Sequence, residues 1–293
     1  MRTYLLLALG MILFGSATPV SKLVVAEVSP YLGSLVRVAI GAVVLLPFAW
    51  PERHRLAEFG TRDWIATAAI AVFGMFGFSV LLLEGMDRIS GVHGAIVMAT
   101  TPAVTGTAAV LFLGERASRR RVFALGLAVA GVAFTQLTRA GGVEPGGHLF
   151  LGAALVFGAV CAEACYTLLG RQMSVEASPV LIACLAAALS IPLFLPFAWG
   201  AFGQLAGLDA GGWAALVWYG AGTLALGTAL WYAGLVRSEG SVAAGFMGLM
   251  PVSALVLSYI LLGEPFRWLH LAGFAIVFAG VLLMAREHAA QSG

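Results

Sequence analysis

Glu163 stands in VCAEACYT, residues 160–167, inside a long apolar run. No basic residue is nearer in sequence than Arg171. A carboxylate at the centre of a hydrocarbon layer costs ~2.5–3.5 kcal/mol on insertion scales, so something must compensate it. It faces water in a cavity, pairs with a cation, or carries a proton. The chemistry open to it is recognition of an ammonium group or proton transfer; the bland role is a hydrogen-bonded acid at a helix interface. Tyr166 follows three residues later and lies on a nearby helix face. Arg37 is the other charge within an apolar run. At 1.5 Å per residue it lies ~9 Å from the outer end of its span, while Glu163 lies ~21 Å from the outer end of its own. A depth gap of ~12 Å by that rise argues against a direct ion pair. Arg37 is read either as a gating or cavity residue or as one that snorkels outward.

A second group of candidates surrounds prolines. In GSATP, Pro19 removes a backbone donor and disturbs the carbonyl of Gly15, so a broken helix is expected there. Ser16 and Thr18 line a site or satisfy the freed backbone groups. Pro102 in ATTPAV and Pro251 in GLMPVS are expected to kink two further helices, facing each other. Thr100, Thr101, Met98 and Met247 sit on the adjoining turns. Methionine suits adaptable binding surfaces, although a buried methionine also serves as plain core. Phe73, Phe76 and Phe78 stud one apolar run. Trp231 and Tyr232 lie several turns inside another, where Trp231 is placed to wall an apolar cavity. Trp50, Trp64, Trp199, Trp213 and Trp268 fit an interfacial belt.

These residues must be positioned by a chain of 293 residues that is 61% hydrophobic and 10% charged. A soluble domain carries ~25% charged residues, so this chain cannot cover a globule in water, and lipid is its expected solvent. A net charge of +2 gives no reason to expect a nucleic-acid partner. The three cysteines form no disulfide framework and read as packing residues. No phosphate loop, nucleophile constellation, metal spacing or cofactor motif is present, and His93 and the other histidines read as isolated.

A helix needs ~20 apolar residues to cross the hydrocarbon. Ten runs qualify, near 4–24, 31–50, 64–84, 91–113, 122–139, 149–170, 179–199, 213–235, 241–262 and 268–286. They do not alternate as barrel strands would, so the expected fold is all-α and integral to the membrane. With the N-terminus inside, eleven basic residues fall on inside segments and four on outside loops, which places both termini in the cytoplasm.

Shifted by 149 residues, the chain meets itself. LPFAW at 46–50 falls on LPFAW at 195–199, LGE at 113–115 on LGE at 262–264, and Pro102 on Pro251, with no gap. The opening run imitates a signal peptide. Its repeat partner is the internal run 149–170, so a retained helix is expected. Each copy, 1–140 and 149–288, holds five spans. An odd number means that the second copy enters from the opposite face. Inverted-topology repeats are a frequent plan of secondary transporters, with the site near the midplane. Glu115 and Glu264, matched by the repeat, are expected to cap or anchor loops. Glu163 takes the position of Phe14 and so breaks the symmetry.

The motifs FGSATPVSK, SPYLGSLVRVAIGAVVL and TTPAVTGTAAVLFLGE in the first copy carry a family resemblance, together with ACYTLLGR, GLMPVSALVLSYILLGE and AGFAIVFAGVLLM in the second. The chain resembles the drug/metabolite transporter superfamily, and within it the EamA-type exporters. The resemblance implies an inner-membrane exporter of small metabolites such as amino acids or their relatives. It also implies a central cavity built by the first four helices of each copy, with the fifth of each packed peripherally. Members often carry tryptophan where this chain has Phe14 and Glu163. Ser16, Thr18, Phe78, Met98, Thr101, Glu163, Tyr166, Trp231 and Met247 are the expected wall of a substrate site. The expected partners are a small-molecule substrate and the bilayer, with monomer and homodimer both open. Two alternatives stand beside this reading: a non-transporting subunit of a larger complex, which would favour a large polar loop, and a membrane enzyme, which needs more convergent polar residues.

Overall fold

In a chain this apolar the backbone must satisfy its own hydrogen bonds. The structure, a computed structural model, describes residues 2–113, 119–137, 148–170, 172–238 and 240–291, whose regular elements are all helices, with no strand among them. The first half comprises α1 (Arg2–Glu27), α2 (Pro30–Ala49), α3 (Thr61–Ala69), α4 (Phe78–Arg88), α5 (Gly91–Met98), α6 (Thr101–Leu113) and α7 (Arg119–Leu137). The second comprises α8 (His148–Gly170), α9 (Pro179–Ala198), α10 (Ala210–Val217), α11 (Gly227–Leu235), α12 (Gly240–Met247), α13 (Leu249–Leu262) and α14 (Trp268–Gln291). Glu115, Arg116, Arg139 and Arg171 lie outside the described residues.

Eight helical segments among the described residues are long and apolar enough to cross a membrane. The fifth and tenth expected spans are shorter apolar helices, Val122–Phe134 and Trp268–Leu283. Those two pack against each other. A Cβ at Gly131 would meet the Gly273 carbonyl at 2.8 Å, and one at Gly280 would meet the Ala124 carbonyl at 2.9 Å. Their outer faces, with Val122, Phe123, Trp268 and Leu282, are exposed.

α3 and α4 are joined by a π-helical stretch, Ile70–Gly77, and α10 and α11 by another, Trp218–Leu226. Short 3-10 helices, Trp50–Glu58 and Trp199–Gly207, follow α2 and α9. These bounds recur at the 149-residue offset to within one residue. The prolines behave unequally. α1 runs unbroken through Pro19, which overturns the expected break. Ser16 and Ser21 donate to the Leu13 and Thr18 carbonyls on either side of it. The α5–α6 and α12–α13 breaks do fall beside Pro102 and Pro251. Each proline sits in the first turn of the following helix, where a missing N–H costs little.

Each copy's first helix packs on the other copy. α1 lies against α11 and α13, and α8 lies against α4 and α6. The ends are tied by loop contacts. Ser178 N donates to Glu52 Oε2 at 3.0 Å, Ser174 N to Asp63 Oδ1 at 2.6 Å, and Ser29 N to Gln204 Oε1 at 2.8 Å. Glu264 is the anchor expected of it: its carboxylate accepts from Gly91 N and Val92 N, two orphan donors at the start of α5. Glu264→Ala is expected to destabilise the protein by about 1 kcal/mol, the typical worth of a helix N-terminal acceptor, read as a lower thermal midpoint in detergent. Gln, which keeps one acceptor, should lose less.

The belt tryptophans 50, 64, 199, 213 and 268 are all exposed. Cys184 is buried, whereas Cys161 and Cys165 are exposed on α8 and are not the packing residues expected from sequence. Nor is His93 isolated. Its ring meets His270 edge-on with centroids 4.9 Å apart, and Ser90 Oγ and Tyr259 Oη lie 2.7 and 3.2 Å from their Nδ1 atoms. Sequence distance hid that pair, because it forms between α5 and α14.

Candidate functional site

Glu163 is two turns from the C-terminal end of α8, partly buried, between the buried Ala162 and Ala164. Its Oε2 accepts from Thr101 Oγ1 at 3.1 Å, and Thr101 also donates to the Met98 carbonyl at 2.8 Å. Thr101 is the first residue of α6, so the break before Pro102 presents this hydroxyl to α8. The side chains of Glu163 and Thr101, predicted as neighbours of one site, do meet.

Tyr166, one turn on, packs on the first π-helical stretch. A Cβ at Gly74 would come within 2.8 Å of the Tyr166 Cβ, so glycine permits the approach. The second π-helical stretch packs on α2 in the same way: a Cβ at Gly220 would meet the Arg37 carbonyl at 2.8 Å. π-helical turns recur at functional sites because they displace side chains from the regular spiral. Here they bring Tyr219 beneath Arg37.

Arg37 does not snorkel outward. It is 6% exposed, its Nη1 donates to Ser79 Oγ at 2.6 Å, and its guanidinium lies 5.2 Å from the Phe78 ring centroid and 4.8 Å from that of Tyr219. Cation–π contact on both rings substitutes in part for hydration. Arg37 and Glu163 lie in each other's electrostatic field but form no ion pair, as the depth argument expected.

The remaining predicted residues divide. Phe78 and Met98 are buried in one cluster with Ala159, Val160 and Ala162 of α8, close to Glu163 in the chain. Ser16 is buried and accepts from Trp218 Nε1 at 2.9 Å, so its hydroxyl is committed to helix and indole. Thr18 is buried, with its methyl facing Gly94 of α5. Trp231, expected to wall a cavity, belongs to a packed cluster with Leu7, Met11 and Ala243. Met247 is half-exposed at the end of α12, unlike its repeat counterpart Met98. Tyr219 and Ser79 were not anticipated. A tyrosine and a serine in apolar helices carry no signal of their own, and only packing against Arg37 marks them.

A multi-helix bundle with eight membrane-length apolar segments and buried charges in its interior is a multi-pass integral membrane protein. The chain belongs to the EamA-like transporter family, whose model matches it twice, over residues 1–137 and 150–286. It is 30% identical to an uncharacterized transporter, YetK, of Bacillus subtilis strain 168, over 97% of this chain and 86% of that one. It is 25% identical to a probable terminal-alkyne amino-acid exporter of Streptantibioticus cattleyicolor, over 87% of this chain and 83% of the other. A solved crystal structure superposes with a TM-score of 0.65 at 18% identity, over 97% of this chain and 98% of that one, and so shares the fold.

Proposed function

We propose that this chain is a secondary transporter of the inner (plasma) membrane that exports small metabolites, amino acids or related amphipathic compounds, by alternating access. In this reading ten spans form two inverted five-helix repeats, 1–140 and 149–288, with both termini cytoplasmic, working as monomer or homodimer. The observation that carries it is the reciprocity of the helix contacts. Gly131 meets Gly273 while Gly280 meets Ala124, and Gly85 meets Val156 while Gly234 meets Leu7. Each pair maps onto its partner under the 149-residue offset, as a two-fold relation between halves requires. Sidedness agrees. The loops after α2 and α8 touch each other through Glu52 and Ser178, and those after α1 and α9 through Ser29 and Gln204. Ten alternating spans put each of these pairs on one face. Such halves rock about a shared midplane site, and in this reading Glu163, Thr101, Phe78 and Tyr166 serve it. The amino-acid exporter among the relatives favours an amino compound, and Glu163 supplies a receptor for its ammonium or a carrier for a coupled proton.

The test is a tolerance screen. Cells expressing the protein are challenged with a panel of amino acids, analogues and cationic drugs. Raised tolerance to at least one amino compound is expected, and it should vanish with Glu163→Gln at equal expression. No change in tolerance, and no flux of any panel member in proteoliposomes, would overturn the reading. A non-transporting subunit would give that result.

A further inference from the structure

Arg37 is a buried cation whose donors the protein leaves largely unmet. A guanidinium carries five N–H donors. Nη1 meets Ser79, Nε meets nothing, and no carboxylate pairs with it. Two more buried polar atoms without a hydrogen-bond partner sit in the same corner: the Tyr219 hydroxyl, on a ring the guanidinium covers, and Ser34 Oγ, one turn before Arg37 on α2. Buried polar groups are nearly always paired, so each exception needs a reason. All three are donors, and donors left unpaired together define a place for an acceptor. The repeat marks them as a deliberate departure from symmetry. The counterparts of Ser34, Arg37 and Tyr219 are Ala183, Ala186 and Ile70, all apolar and buried, and the counterpart of Glu163 is Phe14. Positive charge with a donor cluster thus stands where α2 meets the second π-helical stretch, and a carboxylate within its field stands on α8, with no ion pair between them.

We infer that Arg37, Ser34 and Tyr219 hold the carboxylate of a zwitterionic amino compound whose ammonium is held by Glu163, so that the substrate completes the ion pairs the protein leaves open. This rests on the transport reading above. A carboxylate accepts two N–H bonds from one guanidinium. The rings of Phe78 and Tyr219 keep that guanidinium oriented and offer an apolar surface beside it. Arg37 and Tyr219 are therefore specificity-determining residues: they distinguish an amino acid from the amine of the same side chain.

The experiment compares flux into proteoliposomes of labelled leucine, methionine and phenylalanine with that of the matching amines lacking the carboxylate. Wild type is expected to carry at least one acid about tenfold or more faster than its amine, the worth of one charge-assisted hydrogen bond. Arg37→Gln and Tyr219→Phe should slow the acid and leave the amine unchanged, erasing the difference. Tyr219→Phe removes a hydroxyl that has no partner in the ligand-free protein, so its thermal midpoint should stay level while selectivity falls. Amines carried as fast as acids by wild type would overturn the assignment and leave transport intact. Acid and amine slowed in equal proportion by Arg37→Gln would do the same, and would make Arg37 a structural or gating group. Flux of neither series in wild type would remove the transport reading and this inference with it.

Discussion

Glu163→Gln is expected to lower substrate flux in proteoliposomes about ten- to a hundredfold while leaving the thermal midpoint nearly unchanged, since a charge-assisted hydrogen bond is worth about 1.5–3 kcal/mol and each 1.4 kcal/mol is tenfold. The structural part is a direct consequence of the geometry. Glu163 takes part through one side-chain bond, accepted from Thr101 at 3.1 Å. A glutamine carbonyl oxygen accepts that bond equally well, so the α6–α8 contact survives. What glutamine cannot do is carry a negative charge to an ammonium group or exchange a proton. Any pH dependence of flux that comes from this carboxyl should therefore flatten in the variant. Unchanged flux with an unchanged pH profile would remove Glu163 from both roles. A fall in thermal midpoint matching the fall in flux would make it a structural acid.

Gly15→Ala is expected to be the most destabilising single methyl group in the bundle, costing about 1–3 kcal/mol as overpacking does. A Cβ there would overlap Ser253 Oγ and the Met250 carbonyl oxygen and lie 3.0 Å from Ala254 N. Two of those three atoms are backbone, so no rotamer change relieves the contact, and α1 must move off α13. Small residues at such crossings are what lets helices in lipid approach closely. Gly126→Ala on the exposed face of α7 is the control, because nothing lies within 4 Å of its Cβ. There the same change should stabilise by about 0.5–1 kcal/mol, because alanine loses less chain entropy than glycine in a helix. Thermal unfolding of both variants in one detergent checks the opposite signs. Equal midpoints would mean that α1 and α13 pack more loosely than described.

Several features were legible before any coordinates. The breaks beside Pro102 and Pro251 follow from proline's missing donor, and the anchoring of α5 by Glu264 follows from an acidic residue conserved between the two copies. The five tryptophans expected in the belt, 50, 64, 199, 213 and 268, are exposed at the ends of apolar runs, where amphipathic rings belong. Pro19 did not break α1, which runs on through it, because the loss of one backbone donor leaves the rest of a 26-residue helix intact. Depth in a helix does not by itself tell a cavity wall from a packed core, and Trp231 packs with Leu7, Met11 and Ala243.

By itself, then, the sequence determined the class: apolar runs of membrane length, a 149-residue self-match, a family, and one acid out of place at Glu163. These are properties of composition and spacing along one chain, and lipid as a solvent leaves the backbone few alternatives to helix. The tertiary structure alone decided which polar groups share a neighbourhood. Arg37 turned inward between Phe78 and Tyr219 because Gly220 lets the second π-helical stretch approach α2. Thr101 reached Glu163 because the α5–α6 break falls where it does. Tyr219 lies 182 residues from Arg37, and no periodicity along a helix reports on a contact between helices; that depends on which faces pack, and at what distance.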